Sequence, residues 1–203
     1  MPQAPKLRII PLGGVAEIGK NMTAFEYEDD ILVVDCGSIF PSEDMLGIDL
    51  VIPDVSYLVA NKDRVRGYVF THGHEDHIGA TPYVLRQVPA PIYGTRLTLA
   101  LIDIKLREHR VGGIQLNAVL PKDEVRIGQF TVKFIKVNHS IPGACALAIS
   151  CPAGVVVHSG DFKIDYTPVD GEVTDLGTLA AIGERGVLAL LCESTNIERP
   201  GYT

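Results

Sequence analysis

Apolar residues in this chain cluster in short bursts rather than in the long periodic stripes of a helical bundle. Leu7-Arg-Ile-Ile10, Ile31-Leu-Val-Val34, Tyr68-Val-Phe70, Val155-Val-Val157 and the run from Val187 to Leu191 are rich in β-branched and other large apolar residues, and residues 130–137 alternate apolar with polar. Each pattern predicts a strand. Helical spacing appears over about residues 78–88. It returns over about residues 95–109, where Thr95 is placed to cap the start and Gly112-Gly113 to end the run. A weaker helical pattern covers about residues 175–184. A β-rich start followed by strands mixed with helices predicts an α/β domain with helices packed outside its sheets. There is no internal repeat and no low-complexity linker. The last strand pattern is of the buried type, yet residues 192–203, which follow it, show no helical pattern that could cover it.

Composition narrows the class without deciding the function. With 203 residues, 46% hydrophobic and 21% charged, the chain can bury an ordinary core. No apolar run approaches the roughly 18 residues of a membrane span, and MPQAPKLRII lacks the apolar region of a signal peptide. These features predict a cytoplasmic protein with no membrane partner. Cys36, Cys145, Cys151 and Cys192 form no CxxC pair and sit in or beside apolar segments, as small buried hydrophobes do. A formal charge of −7 argues against a simple electrostatic grip on nucleic acid. A polynucleotide substrate would therefore need cations, or locally placed basic groups, in the cleft.

The candidate chemistry lies in Thr71-His-Gly-His-Glu-Asp-His-Ile-Gly-Ala80, directly after a strand pattern. Imidazole nitrogens and carboxylate oxygens are the ligands of zinc sites that stay open to water, whereas thiolate-rich sets make closed structural sites. On a turn entering a helix, His72 and His74 can converge on one ion while Asp76 and His77 turn toward another. His139 and Asp161 each follow a further strand pattern, and they offer a third neutral nitrogen for the first ion and a carboxylate able to lie between the two.

These residues carry a resemblance. His72-x-His74-x-Asp76-His77 with His139 and Asp161 resembles the metallo-β-lactamase superfamily, which implies an αββα sandwich, incomplete in this chain, with metals at one edge. Leu12-Gly-Gly-Val-Ala-Glu-Ile-Gly-Lys-Asn21, Gly47-Ile-Asp-Leu-Val-Ile-Pro-Asp54, His139-Ser-Ile-Pro142, Gly160-Asp-Phe-Lys163 and Glu193-Ser-Thr-Asn196 extend the likeness to the ribonuclease J group of β-CASP nucleases. That resemblance implies a ribonuclease using two zinc ions, with manganese as an alternative, to activate water against RNA phosphodiesters from a 5′ end or internally. Asp76 and Asp161 would be the catalytic carboxylates. It implies that Asp35 buttresses the metal loop and that Glu193 supports the metal site from behind. His158 is read either as support for Asp161 or as a polar strand end. His109, among basic residues at a helix end, is read as a solvated cation.

The resemblance also sets a domain plan: residues 1–190 as the catalytic domain and residues 191–203 as the start of a β-CASP domain otherwise absent. The full-length enzyme would be a homo-oligomer. A further ligand for the second ion would lie on the missing β-CASP segments, so this chain alone is expected to show weak or no nuclease activity. Ala16 stands where the family commonly has a second glycine, a change that is tolerable unless φ is positive there. Two alternatives stay open: a hydrolase of the same fold acting on a thioester or small ester, and a zinc-binding fragment without turnover.

Overall fold

The computed structural model describes residues 5–201. Strands β1 (Arg8–Gly13), β2 (Met22–Tyr27), β3 (Asp30–Val34), β4 (Val65–Val69), β5 (Ile92–Thr95) and β6 (Leu116–Val119) lie side by side in that order in one sheet. Pairing is antiparallel from β1 to β3 and parallel from β3 to β6. Strands β7 (Glu124–Ile127), β8 (Phe130–Lys136), β9 (Cys145–Cys151), β10 (Gly154–His158) and β11 (Ala189–Leu191) form a second sheet in the order β11-β10-β9-β8-β7. Only its β10–β11 pair is parallel.

The two-residue period of the strands sorts side chains into three layers of core. Phe25, Leu32, Val34 and Val69 from the first sheet meet Phe130, Val132, Phe134, Leu147 and Ile149 from the second in a buried layer between the sheets. The alternate residues Ala24, Ile31, Val33, Tyr68 and Ile92 face the other way. They pack against the helices α1 (Ser56–Ala60), α3 (Thr81–Gln87) and α4 (Arg96–Glu108) through Leu58, Val84, Leu85, Leu99, Ile102 and Leu106. On the outer face of the second sheet Ile135, Val137, Ala146 and Ala148 meet Leu179 and Ile182 of α5 (Leu176–Arg185). The result is an αββα sandwich.

The outer cover of the second sheet is thin. No residue of α5 is fully buried, and Leu188 and Leu190 remain 57% and 61% exposed beside β11. A cavity of about 270 Å³ opens there, lined by Val137, Val157, Phe162, Leu179, Leu190 and Cys192 among others. The buried-type strand expected over residues 187–191 is therefore a three-residue edge strand with apolar groups in solvent.

Other expectations need correction. The helix expected over residues 78–88 is two: α2 (Glu75–Ile78), whose N-cap is His74, and α3, separated from it by Gly79 and Ala80. Thr95 does stand at the N-cap of α4 but its side chain makes no capping bond. Its hydroxyl instead meets Thr98 Oγ1 at 3.0–3.1 Å and donates to the carbonyl of Gly143 at 3.0 Å. That helix ends at Glu108, with Arg110 at φ 55°, before the glycine pair expected to stop it. Five strands, β2, β5, β6, β7 and β9, and the short α1 were not anticipated. Cys36 and Cys145 are buried as expected, whereas Cys192 is exposed. Ala16 has φ 58°, the condition under which alanine was not expected to be tolerated freely, and an L-residue there costs roughly 1–2 kcal/mol. Among the described residues no helix is long and apolar enough to cross a membrane.

Candidate metal centre

All the candidate residues leave the sheets at one edge of the sandwich. Thr23 pairs with Val34 and Val34 with Val69, so the turn before β2, the exit of β3 and the exit of β4 are neighbours. In the second sheet His158 pairs with Leu191, which brings the exits of β10 and β11 to the same edge. A hydrogen bond from the Cys145 amide to the Thr71 carbonyl, 3.0 Å, ties the two sheets together there.

Three imidazole nitrogens converge at this edge. His74 Nδ1 stands 3.1 Å from His72 Nε2 and 3.1 Å from His139 Nε2. Ligand nitrogens around a tetrahedral zinc, at about 2.0–2.1 Å from the ion, are about 3.3–3.4 Å apart, so the spacing suits a cation. Asp161 reaches two ways: Oδ2 lies 3.7 Å from His139 Nε2 and 4.0 Å from His72 Nε2, while Oδ1 lies 3.3 Å from His77 Nε2. Among the described residues two triads of ligand atoms fall within 4.8 Å of one another, His72–His74–His139 and His72–His77–Asp161. Asp76 is in neither triad and approaches the cluster through His77, with Oδ2 3.6 Å from Nε2.

Asp35 sets the protonation pattern of the histidines behind this cluster. It is 1% exposed, has φ 60°, and accepts three bonds of 2.8 Å: from the Thr71 amide, from Thr71 Oγ1 and from His77 Nδ1. Burial alone would raise its carboxyl pKa, but the charge and hydrogen bond of His77 hold it below the usual range, so the group is an ionised, acceptor-only carboxylate. Thr71 Oγ1 must therefore donate to Asp35, which leaves it to accept from His72 Nδ1 at 3.0 Å. His72 Nε2 and His77 Nε2 are thereby turned toward the cluster.

The electrostatics call for a cation. Burial would push the His77 imidazolium down, yet Asp35 on one ring nitrogen and Asp161 on the other lift its pKa to about 10. His72, buried and beside His77, is shifted down instead. The second pole thus stabilises positive charge, and the first offers neutral nitrogen lone pairs, the donor set a transition-metal cation takes.

The supporting residues take distinct places. Glu193 accepts from the Phe162 amide at 2.9 Å, and its own amide donates to Ser159 Oγ, so the end of β11 braces the loop that carries Asp161. His158 makes no direct bond to Asp161; its Nδ1 accepts from the Gly160 amide, 3.1 Å, one residue before it. His109 lies away from the cluster, its ring edge-on to Tyr83. Sequence reasoning gave no role to Thr71, whose hydroxyl links Asp35 to His72, nor to Asn21, whose amide reaches Asp76 and His77. The only sequence signal for Asn21 is its place at the end of a glycine-rich turn.

An imidazole–carboxylate centre at one edge of an αββα sandwich defines a class of metal-binding proteins open to a substrate. The chain belongs to the metallo-β-lactamase superfamily, whose family description it matches over residues 16–183. Within it, the chain is similar to proteins named ribonuclease J: 52% identical to that of Synechocystis sp. over 99% of this chain and 32% of the relative, and 47% identical to that of Thermus thermophilus over 97% of this chain and 36% of the relative. It thus spans about a third of the length of these relatives. In structure it is similar to a protein of unknown function from Enterococcus faecalis, with a TM-score of 0.72 at 17% identity, over 98% of this chain and 52% of the other.

Proposed function

We propose that this chain is the metal-bearing catalytic part of a ribonuclease that hydrolyses RNA phosphodiester bonds in the cytoplasm. The observation that supports it most is the carboxylate of Asp161, one oxygen facing the three-histidine pole and the other facing His77. This is the arrangement by which one residue serves two neighbouring cations. The relatives named ribonuclease J supply the substrate class.

In this reading His72, His74 and His139 hold the first ion, Asp76 and His77 hold the second, and Asp161 serves both. Zinc suits the imidazole-rich set, with manganese as the alternative. A pair of such cations supplies an activated water and offsets charge at phosphorus. Asp76, on the solvent side of the second pole with 36% of its side chain exposed, orients the attacking water. Asp35 and Glu193 keep the ligands in place, and His158 holds the backbone ahead of Asp161. Residues 191–203 form the start of a β-CASP domain, of which residues 202–203 lie outside the described residues. That domain carries a further ligand to the second ion, and the whole enzyme is a homo-oligomer.

The test is to give the purified chain 5′-labelled RNA and, separately, a thioester, each with added zinc or manganese. The expected result is slow RNA cleavage that chelator abolishes and Asp161→Asn removes. Thioester turnover with the RNA left intact would overturn the reading.

A further inference from the structure

Asp76 is the weakest-placed member of the cluster, outside both triads of mutually close ligand atoms and partly exposed. A single neutral side chain, Asn21, touches both it and its neighbour. Asn21 Nδ2 lies 3.2 Å from the Asp76 carbonyl, 3.4 Å from Asp76 Oδ2 and 3.1 Å from His77 Nε2. Two oxygen acceptors on one residue fix which way the amide faces: its NH₂ end points inward.

The backbone of Asn21 is itself clamped. Its amide donates to the Asp76 carbonyl at 3.0 Å, and its carbonyl accepts from the Gly37 amide at 2.9 Å. That approach requires glycine at position 37, because a Cβ there would lie 1.6 Å from the Asp76 carbonyl oxygen and 2.6 Å from the Asn21 nitrogen. The turn leading to Asn21 is held in left-handed backbone at Gly19, φ 85°, and Lys20, φ 53°. Position 21 is thus delivered against the Asp76–His77 pair by a strained loop, and Asn21, Asp35, His77, Asp161 and Glu193 line one cleft of about 340 Å³.

We propose that Asn21 is the positioning residue of the second metal pole, fixing the Asp76 carboxylate beside His77 so that the two present their ligand atoms together. The inference rests on the two-cation reading of the site. It gives the glycine-rich loop a task other than cradling phosphate: the loop exists to place one carboxamide. The first pole, built by His72, His74 and His139, makes none of these contacts.

The test is a two-site zinc titration of this chain by calorimetry, repeated with cobalt, whose visible absorption reports each site's coordination. Asn21→Ala is expected to weaken the second ion by about 10–100-fold, the usual cost of removing a group that orients a ligand, and to leave the first ion's affinity unchanged. In an Asp76→Ala background the same substitution should have no further effect, because Asn21 acts through Asp76. Asn21→Ser, which keeps a small polar group but cannot reach Asp76, should match Asn21→Ala and serves if the alanine variant fails to fold. Equal second-ion affinity in wild type and either variant would overturn the proposal. So would a wild-type chain that takes up one ion only, or an effect of Asn21→Ala that persists without Asp76. Loss of all metal binding by the wild type would instead overturn the two-cation reading itself.

Discussion

Asp35 shows how one residue can govern a centre it does not touch. A left-handed backbone, nearly complete burial and three accepted hydrogen bonds make it a fixed negative charge beneath Thr71 and His77. Replacing it with asparagine keeps the shape, and asparagine tolerates φ near 60°. The amide, however, offers one acceptor oxygen where the carboxylate offers two, and its NH₂ would face groups that are already donors. Asp35→Asn is therefore expected to leave a folded protein whose metal affinity is lower by about 10–100-fold, read by zinc titration. An unchanged affinity would show that His72 and His77 are oriented without it. The histidines themselves were legible in the sequence because a cluster of three imidazoles and two acids after a strand has few structural uses. Thr71 and Asn21 were not, because a hydroxyl and an amide acquire meaning only from what lies within 3 Å of them, and their partners are up to 56 residues away.

At the level of elements, the β-branched runs announced β3, β4, β8 and β10, and the helical spacing announced α4 and α5. The strands that went unread have other signatures. β9 is made of Cys-Ala-Leu-Ala-Ile-Ser-Cys, small residues whose preference for a strand comes from packing between β8 and β10 rather than from side-chain shape. β2 is buried along its whole length and includes a charged residue, Glu26, which periodicity alone cannot assign to an interior. The structure explains it: Glu26 pairs with Arg64 at 2.7 Å and Arg8 at 3.0 Å and accepts from the Tyr57 hydroxyl, so β1, β2, α1 and the turn before β4 meet on one carboxylate. Burial would raise its pKa, but Tyr57 and Arg64 outweigh that and lower it. A carboxyl lowered in the folded state contributes stability above its unfolded pKa, about 4.3, and loses it as pH falls through the folded value. Urea unfolding followed from about pH 6 to pH 3 should therefore show a loss of stability in the wild type that Glu26→Gln lacks. Parallel curves for the two proteins would remove Glu26 from any part in acid sensitivity.

For the molecule as a whole, the sandwich concentrates its acids and imidazoles at one edge while carrying a net charge of −7. Bringing Asp35, Asp76 and Asp161 together there has an electrostatic cost that the protonated His77 offsets only in part, and bound cations would remove more of it. Because the ligands come from the exits of β4, β8 and β10, an ion held among them binds the folded chain and has no comparable site in the unfolded one. Linkage then fixes the size of the effect: zinc at 100 times its dissociation constant adds about 2.7 kcal/mol of stability. For a domain of this size that is a rise of roughly 5–10 °C in melting temperature. The same zinc should leave a His74→Ala variant with much less of this rise, because His74 Nδ1 is the atom against which His72 and His139 both close. Scanning calorimetry of the two proteins, each with chelator and with zinc, reads both numbers. Equal shifts in the two would mean that zinc acts elsewhere on the surface, and no shift in the wild type would mean that the edge cluster holds no ion.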